Sequence, residues 1–371
     1  MIVLKLIAIV LLWMYAAVLL FAVLGFLRTR IFHSLPHHKN KTRVSIIVCA
    51  RNEEKYIENC LSGIVTQIFD KNLLEIVFVN DASTDQTLLL AEKMLSVSGI
   101  SYRIINNFEK KGKKQCLTDA IQICSGELII TRDADTFTLS NVWLKTIVDY
   151  HEITGKEFII APLQLENNNG LISQLQFFEN TALSIITSGF THFKNAFLCS
   201  GANLAYTKKL FLNCNGFSSH KEIASGDDVL LLEDVKKINP ASVGYLKQNE
   251  ASVITYPQQT WSALLSQKVR WAAKFSLNPN KTNTYLGILV FIIHFMSLFA
   301  LIFPVFRHHF PFFGLIFLCC RLLIDYLLLF LGSRYFNTSV KYAWLLPVSI
   351  IYSFYVIVTG LASIIIKPNW K

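Results

Sequence analysis

The chain has 371 residues, 53% of them hydrophobic, with 35 Lys and Arg against 25 Asp and Glu for a net charge of +10. That length holds one sizeable α/β domain, and the apolar fraction is too high for an ordinary soluble protein of this size, so part of the chain is expected in lipid. The positive balance does not indicate nucleic acid: the bases gather beside an apolar run and at Lys110–Lys114, a pattern suited to anionic lipid, and groove- or base-reading elements are missing.

Residues 1–27 form the first predicted element, an apolar run whose one charge is Lys5. Arg28, Arg30, Lys39 and Lys41 follow in a basic juxtamembrane linker, 28–42, which Arg43 extends. A cleaved signal peptide carries its charge before a shorter apolar region, so this run reads as an uncleaved anchor. Basic residues mark the cytoplasmic side, which assigns the chain after residue 28 to the cytoplasm.

From residue 43 to about 275 short apolar strands alternate with helical periods, the pattern of a largely parallel α/β sheet. The expected order is a strand at 44–50, a helix over 53–67 capped by Asn52, a strand at 74–79, and a helix over 87–95 with Ser83 and Gln86 at capping-box spacing. A strand at 102–106, a lysine-rich loop, a helix ending near Gly126 and a strand at 128–132 come next. Polar residues thus collect at the C-terminal ends of consecutive strands, where open α/β sheets bind ligands. Residues 171–190 read as an amphipathic helix with Leu171, Leu175, Phe178, Ala182 and Ile185 on one face, suited to the membrane surface or to packing on the sheet.

Three further apolar runs, 286–306, 310–331 and 342–366, each approach the ~20 residues that cross a bilayer. Alternation leaves Arg334 and Lys341 inside and the 307–309 loop outside. Arg321 and Asp325 are four residues apart within one run, a costly placement unless they pair or face a polar path. The eight cysteines form no C-x-x-C pair and suit a reduced compartment.

Several short constellations carry chemistry. Asp133 and Asp135, one small residue apart after a buried strand, form either a turn or an oxygen-ligand pair for Mg2+ or Mn2+ shared with substrate phosphates. Asp81 ends the second strand and, with Ser83 placed to cap, is expected free for a ligand's base or ribose. In the loop of Lys110, Lys111, Lys113 and Lys114, a solvated surface or a diphosphate contact, Lys113 is the candidate for phosphate. Gly226-Asp227-Asp228 opens a helix and offers either a cap or a general base. Gln267, Arg270 and Trp271 share a helix face that suits phosphate and a sugar ring, or an interfacial belt.

Taken in order, Ala50-Arg51-Asn52-Glu53-Glu54, Asn80-Asp81, Asp133-Ala134-Asp135, Gly226-Asp227-Asp228 and Gln267-Lys268-Val269-Arg270-Trp271 resemble the signature of family 2 glycosyltransferases. The likeness covers roughly 43–275 and is nearest the membrane-bound branch of cellulose, chitin, hyaluronan and poly-N-acetylglucosamine synthases and ceramide glucosyltransferase. It implies an α/β GT-A nucleotide-diphospho-sugar transferase domain, cytoplasmic, with one N-terminal and about three C-terminal transmembrane helices. It further implies nucleotide-sugar contacts by Arg51, Glu53, Asp81, Lys113, Asp133 and Arg270, with metal at Asp133 and Asp135 and Asp228 as catalytic base. Gly201, Asn203, Gln267 and Trp271 would face the acceptor.

Asn80 and Asp227 depart from the family's usual acid before Asp81 and usual Glu before Asp228. The reaction so implied is inverting transfer from a UDP-sugar or other nucleotide-diphosphate sugar to a lipid-linked or glycan acceptor. A processive polysaccharide synthase and a non-catalytic nucleotide-binding scaffold or transporter are the alternatives.

Overall fold

The structure, a computed structural model, describes residues 2–35, 38–166, 168–218, 226–277, 281–302, 311–336 and 341–365. In chain order the elements are α1 (Ile2–Arg28), β1 (Val44–Ala50), α2 (Ile57–Val65), β2 (Leu74–Asp81), α3 (Thr87–Ser96), β3 (Ser101–Asn107), α4 (Lys113–Ile123) and β4 (Leu128–Asp133). There follow β5 (Thr136–Phe137), α5 (Trp143–Thr154), β6 (Phe158–Ile160), β7 (Leu163–Leu165), α6 (Leu171–His192), β8 (Leu204–Thr207), α7 (Lys208–Asn213) and α8 (Asp227–Ile238). The chain closes with β9 (Val243–Tyr245), β10 (Val253–Thr255), α9 (Trp261–Leu277), α10 (Lys281–Ile302), α11 (Pro311–Phe336) and α12 (Leu345–Ile365). The expected outside loop at 307–309 lies outside the described residues, as do the ends of the expected spans at 303–306, 310 and 366.

Arg28–Glu166 and Phe190–Tyr256 form an α/β unit. Met1–Leu27, Asn167–Gly189 and Pro257–Lys371 form a helical one. The α/β unit is therefore shorter than the expected 43–275, because the middle amphipathic helix and everything after Tyr256 group with the apolar helices.

A seven-stranded sheet of order β3-β2-β1-β4-β8-β6-β9 divides the α/β unit, and β5, β10 and β7 make a smaller second sheet. The first four strands are parallel, as the sequence pattern predicts, while β8 runs antiparallel to both neighbours. Side chains alternate along each strand, so each face builds its own core. On one face Ile46, Val48 and Ile76 pack against Leu61 and Ile64 of α2 and Trp143 and Ile147 of α5. On the other, Ile47, Val77 and Ile129 meet Leu117 and Ile121 of α4 and Leu231 and Val235 of α8. Each such fully buried side chain contributes about 1.5–3 kcal/mol.

Glu152 of α5 gathers the start of this unit. Its Oε1 accepts from the amides of Lys41 and Thr42, each at 2.8 Å, and its Oε2 lies 2.6 Å from His38 Nε2. Burial alone would raise this carboxyl, but those hydrogen bonds outweigh it and bring the pKa down to about 2.

In the helical unit Leu175, Phe178 and Ile185 of α6 pack among the apolar helices. A Cβ added at Gly189 would sit 1.9 Å from the Ala22 carbonyl oxygen, and one at Gly25 2.2 Å from that of Gly189. Small residues thus let α1 and α6 touch backbone to backbone, the usual device between helices that lack a hydrophobic drive to associate. Four helices among the described residues are long and apolar enough to cross a membrane, at 5–28, 282–301, 312–336 and 345–363. Arg321 and Asp325 do pair, at 3.0 Å, and Tyr15 donates to Asp325 at 2.9 Å while Arg321 donates to Ser353 at 3.0 Å, so the two charges offset one another inside the helix packing.

Two outcomes follow. A depressed carboxyl contributes stability that is complete above its unfolded pKa and lost as pH falls through the folded value. The Glu152 contribution, no more than roughly 3 kcal/mol, should therefore disappear between about pH 4.5 and pH 2, and Glu152→Gln should flatten that part of an acid-denaturation profile. Gly189→Ala should cost about 1–3 kcal/mol in thermal unfolding of the detergent-solubilised protein. Gly287→Ala in α10, where a Cβ meets nothing within 4 Å, should cost nothing.

Candidate active site

The parallel register aligns four strand ends. Ala50 pairs with Asn80, Asn80 with Asn106, and Cys49 with Asp133, so the loops after β1, β2, β3 and β4 share one edge of the sheet.

The first two loops are sewn together. Asn52 takes a left-handed φ of 55°. Its Oδ1 accepts from the Thr84 amide at 2.8 Å, and its own amide donates to Ser83 Oγ at 3.1 Å. Asn52 is thus a tie between loops instead of the expected cap, and α2 begins only at Ile57. The expected capping box does not form either, because Asp85 accepts from the Thr87 amide at 3.0 Å and Ser83 is engaged with Asn52. Arg51 is exposed at this edge; Glu53 is half-buried, its amide donating to Thr87 Oγ1 at 2.7 Å.

Asp81 makes contacts the sequence alone does not show. It is buried, and its two oxygens accept from the amides of Lys111 at 2.7 Å and Gly112 at 2.9 Å. A carboxylate so engaged anchors the lysine loop. The anchor also fixes Gly112, whose φ of 83° favours glycine, immediately before α4 starts at Lys113.

That turn brings Lys113 into a nest of carboxylates. Its Nζ lies 2.5 Å from Asp133 Oδ1 and 3.6 Å from Asp227 Oδ2. Burial works against its charge, but Asp133, Asp227 and Asp228 together outweigh that and hold its pKa well above the usual lysine range. The ammonium expected to meet phosphate therefore already neutralises part of an acidic cluster.

Asp228, in the first turn of α8, accepts from the Gly201 amide at 3.1 Å through Oδ2 and from the Val229 amide at 2.8 Å through Oδ1. Two amide donors orient it. Gly201 is matched to this position: a Cβ there would come within 3.2 Å of both Lys113 Nζ and Asp227 Oδ2. These links among Gly201, Lys113 and Asp227 were absent from the sequence reading. The small Ser200-Gly201-Ala202 run is the one signal that could have suggested them.

Asn203 corrects another expectation. It is fully buried, with Nδ2 donating to the carbonyls of Pro162 at 2.7 Å and Ala251 at 2.9 Å and Oδ1 accepting from Trp143 Nε1 at 3.1 Å. It clamps the strand behind Gly201 and has no amide atom left for an acceptor.

Asp133 and Asp135 are partly exposed beside buried Ala134. Among the described residues no cluster of three or more His, Cys, Asp or Glu is placed to hold a metal. Hard carboxylate oxygens in a cluster with more acid than base fit a divalent cation that takes its other ligands from a diphosphate and water. Gln267, Arg270 and Trp271 belong to α9 in the helical unit. There Trp271 is exposed, with Lys268 Nζ 4.1 Å from its ring centroid, and Lys268 is also ion-paired with Glu179.

Known proteins resemble this arrangement over part of the chain. The family model described as glycosyl transferase family 2 matches residues 45–213. An uncharacterized glycosyltransferase of Haemophilus influenzae is 35% identical over 114 residues, 31% of this chain and 34% of that protein. The Bacillus subtilis probable glycosyltransferase YdaM is 25% identical over 296 residues, 75% of this chain and 65% of the relative. The chain thus spans about a third of one curated relative and just under two thirds of the other. The solved mannosyltransferase PcManGT from Pyrobaculum calidifontis, in complex with GDP-Man and Mn2+, matches over 97% of this chain and 98% of its own, with a TM-score of 0.59 at 17% identity, a likeness of fold. Residues 45–213 thus carry a glycosyl transferase family 2 domain, built on the GT-A fold.

Proposed function

We propose that this chain is an inverting glycosyltransferase that moves a sugar from a nucleotide-diphosphate sugar to a hydroxyl of a lipid-linked or glycan acceptor at the cytoplasmic face of a membrane. The observation that carries the proposal is the cluster at the sheet edge, with Asp228 held by two amides beside Lys113 and the Asp133–Asp135 pair. A protein that only bound nucleotide would have no use for a carboxylate so oriented.

Asp228 takes the proton of the acceptor hydroxyl as its oxygen bonds to the anomeric carbon. The bond from that carbon to the diphosphate oxygen breaks on the opposite side, and the nucleoside diphosphate leaves with the electron pair. One displacement inverts the anomeric configuration. Lys113, which its carboxylate neighbours keep protonated, supplies a fixed positive charge towards the departing diphosphate. Asp133 and Asp135 are the residues that would hold Mg2+ or Mn2+, which when bound supplies Lewis-acid stabilisation of phosphate oxygens.

Arg51 and Glu53 flank the donor side in this reading, and Asp81 acts through the lysine loop that it anchors. For Gln267, Arg270 and Trp271 the proposed diphosphate and acceptor roles stand on the sequence pattern. The four apolar helices and the basic residues after the first of them support a membrane location with the α/β unit cytoplasmic. The Mn2+ and GDP-Man held by the mannosyltransferase support a metal-assisted reaction with a nucleotide-sugar donor.

The test incubates the purified protein in lipid with a panel of UDP- and GDP-sugars and Mg2+ or Mn2+, following nucleoside diphosphate release and the mass of glycosylated lipid. A single added sugar marks a glycolipid transferase and a product ladder marks a processive synthase; no release with any donor refutes the proposal. Asp228→Asn should lower transfer by about 10²–10⁴-fold while nucleotide binding is kept, and near-normal transfer would remove Asp228 from its role. Gly201→Ala brings a Cβ within 3.2 Å of Lys113 Nζ and Asp227 Oδ2, so both must give slightly, and kcat should fall by less than about 10²-fold with little change in thermal stability.

A further inference from the structure

Arg132 ends the buried run of β4, one residue before Asp133, and is 1% exposed. Strand alternation turns it to the face of Ile130, where α2 and α5 pack, and its guanidinium lies over the Trp143 ring, 4.9 Å from the centroid. Its Nε donates to Thr136 Oγ1 at 3.2 Å, while Nη1 and Nη2 have no hydrogen-bond partner among the described residues. A buried guanidinium without a carboxylate is costly, and an apolar side chain of similar volume in such a place is often as stable or more so. Packing alone gives no reason for a cation at this position.

Its hydrogen bond reaches the turn that carries both candidate metal ligands. Thr136, itself 1% exposed, closes that turn by donating from Oγ1 to the Asp133 carbonyl at 2.6 Å. A hydroxyl has a single proton, and a fixed cationic donor on one side of its oxygen directs that proton to the acceptor on the other. Arg132 thus sets the Thr136 hydroxyl, and the hydroxyl sets the Asp133 carbonyl. Two further groups hold the turn: Cys60 Sγ donates to the same carbonyl at 3.6 Å, and Thr255 Oγ1 of β10, the strand neighbour of Thr136, donates to the Asp135 carbonyl at 3.4 Å. Held at both carbonyls, the turn carries its two carboxylates as a fixed pair.

We infer that Arg132 is a positioning residue: through Thr136 it fixes the turn that presents Asp133 and Asp135, and so sets how tightly the site takes a divalent cation. Groups placed behind metal ligands commonly change metal affinity by about 10–100-fold. The inference rests on the reading of the acidic cluster as a metal-assisted transferase site and deepens it by naming what orients the metal ligands.

The test measures Mn2+ binding to the full-length protein in nanodiscs by electron paramagnetic resonance, with UDP or GDP present and no sugar donor, alongside thermal unfolding. Arg132→Met should bind Mn2+ about tenfold more weakly than the native chain, at an unfolding temperature no lower. Thr136→Val breaks the same link from the turn's side and should weaken Mn2+ binding by a similar factor, Thr136→Ser should leave it unchanged, and the double variant of Arg132→Met with Thr136→Val should lose no more than either alone. Thr136→Val gives the reading by itself if Arg132→Met does not fold. Unchanged Mn2+ binding in Arg132→Met, losses that add in the double variant, or no Mn2+ binding to the native chain with either nucleotide would overturn the inference. Donor turnover measured on the same preparations separates the two proposals. Turnover with Arg132-independent Mn2+ binding refutes the positioning role alone. Arg132-dependent binding with no turnover for any donor refutes the transferase reading and leaves the turn as a cation site.

Discussion

Parallel pairing of β1 with β2 and with β4 is the constraint from which the polar edge follows. Because all three strands run the same way, the register that sets Ala50 beside Asn80 and Cys49 beside Asp133 delivers every following loop to one side of the sheet. A slip of one residue would turn Ile46 and Ile47 to opposite faces and exchange the two cores, so hydrophobic packing on both faces protects the alignment. The geometry of the acidic cluster thus depends on side chains buried well below it.

At that edge electrostatics and backbone hydrogen bonding act together. Asp81 spends both oxygens on the amides of Lys111 and Gly112, and this sets where α4 begins and hence where Lys113 points. Lys113 then stands among carboxylates from β4 and α8, and Gly201 leaves the space in which they meet. These groups share contacts, the arrangement in which mutational effects fail to add.

The helical unit solves a different problem. Its helices meet through Gly25 and Gly189 at backbone distance, and its internal charges are paired, Arg321 with Asp325 and Lys268 with Glu179. An ionised group among apolar helices is tolerable only with such a partner. Lys268 also lies over the Trp271 ring, so the pair that satisfies its charge also fixes one face of an aromatic side chain in the signature segment.

Sequence by itself determined the elements as far as β4 and their order: the short apolar strands, the four apolar runs now seen as α1, α10, α11 and α12, and the signature residues Asp133, Asp135 and Asp228. These follow from local periodicity and from residue types next to one another in the chain, which need no partner to be recognised. Partnership decided the rest. Whether Asp81 meets a ligand or a loop, whether Asn52 caps or ties, whether Asn203 faces outward or clamps Trp143, and where the 171–190 helix packs all depend on groups tens of residues away. A short polar side chain reads the same in sequence whether its hydrogen bonds go to a substrate or to a distant backbone amide, and only the tertiary fold brings that amide within reach.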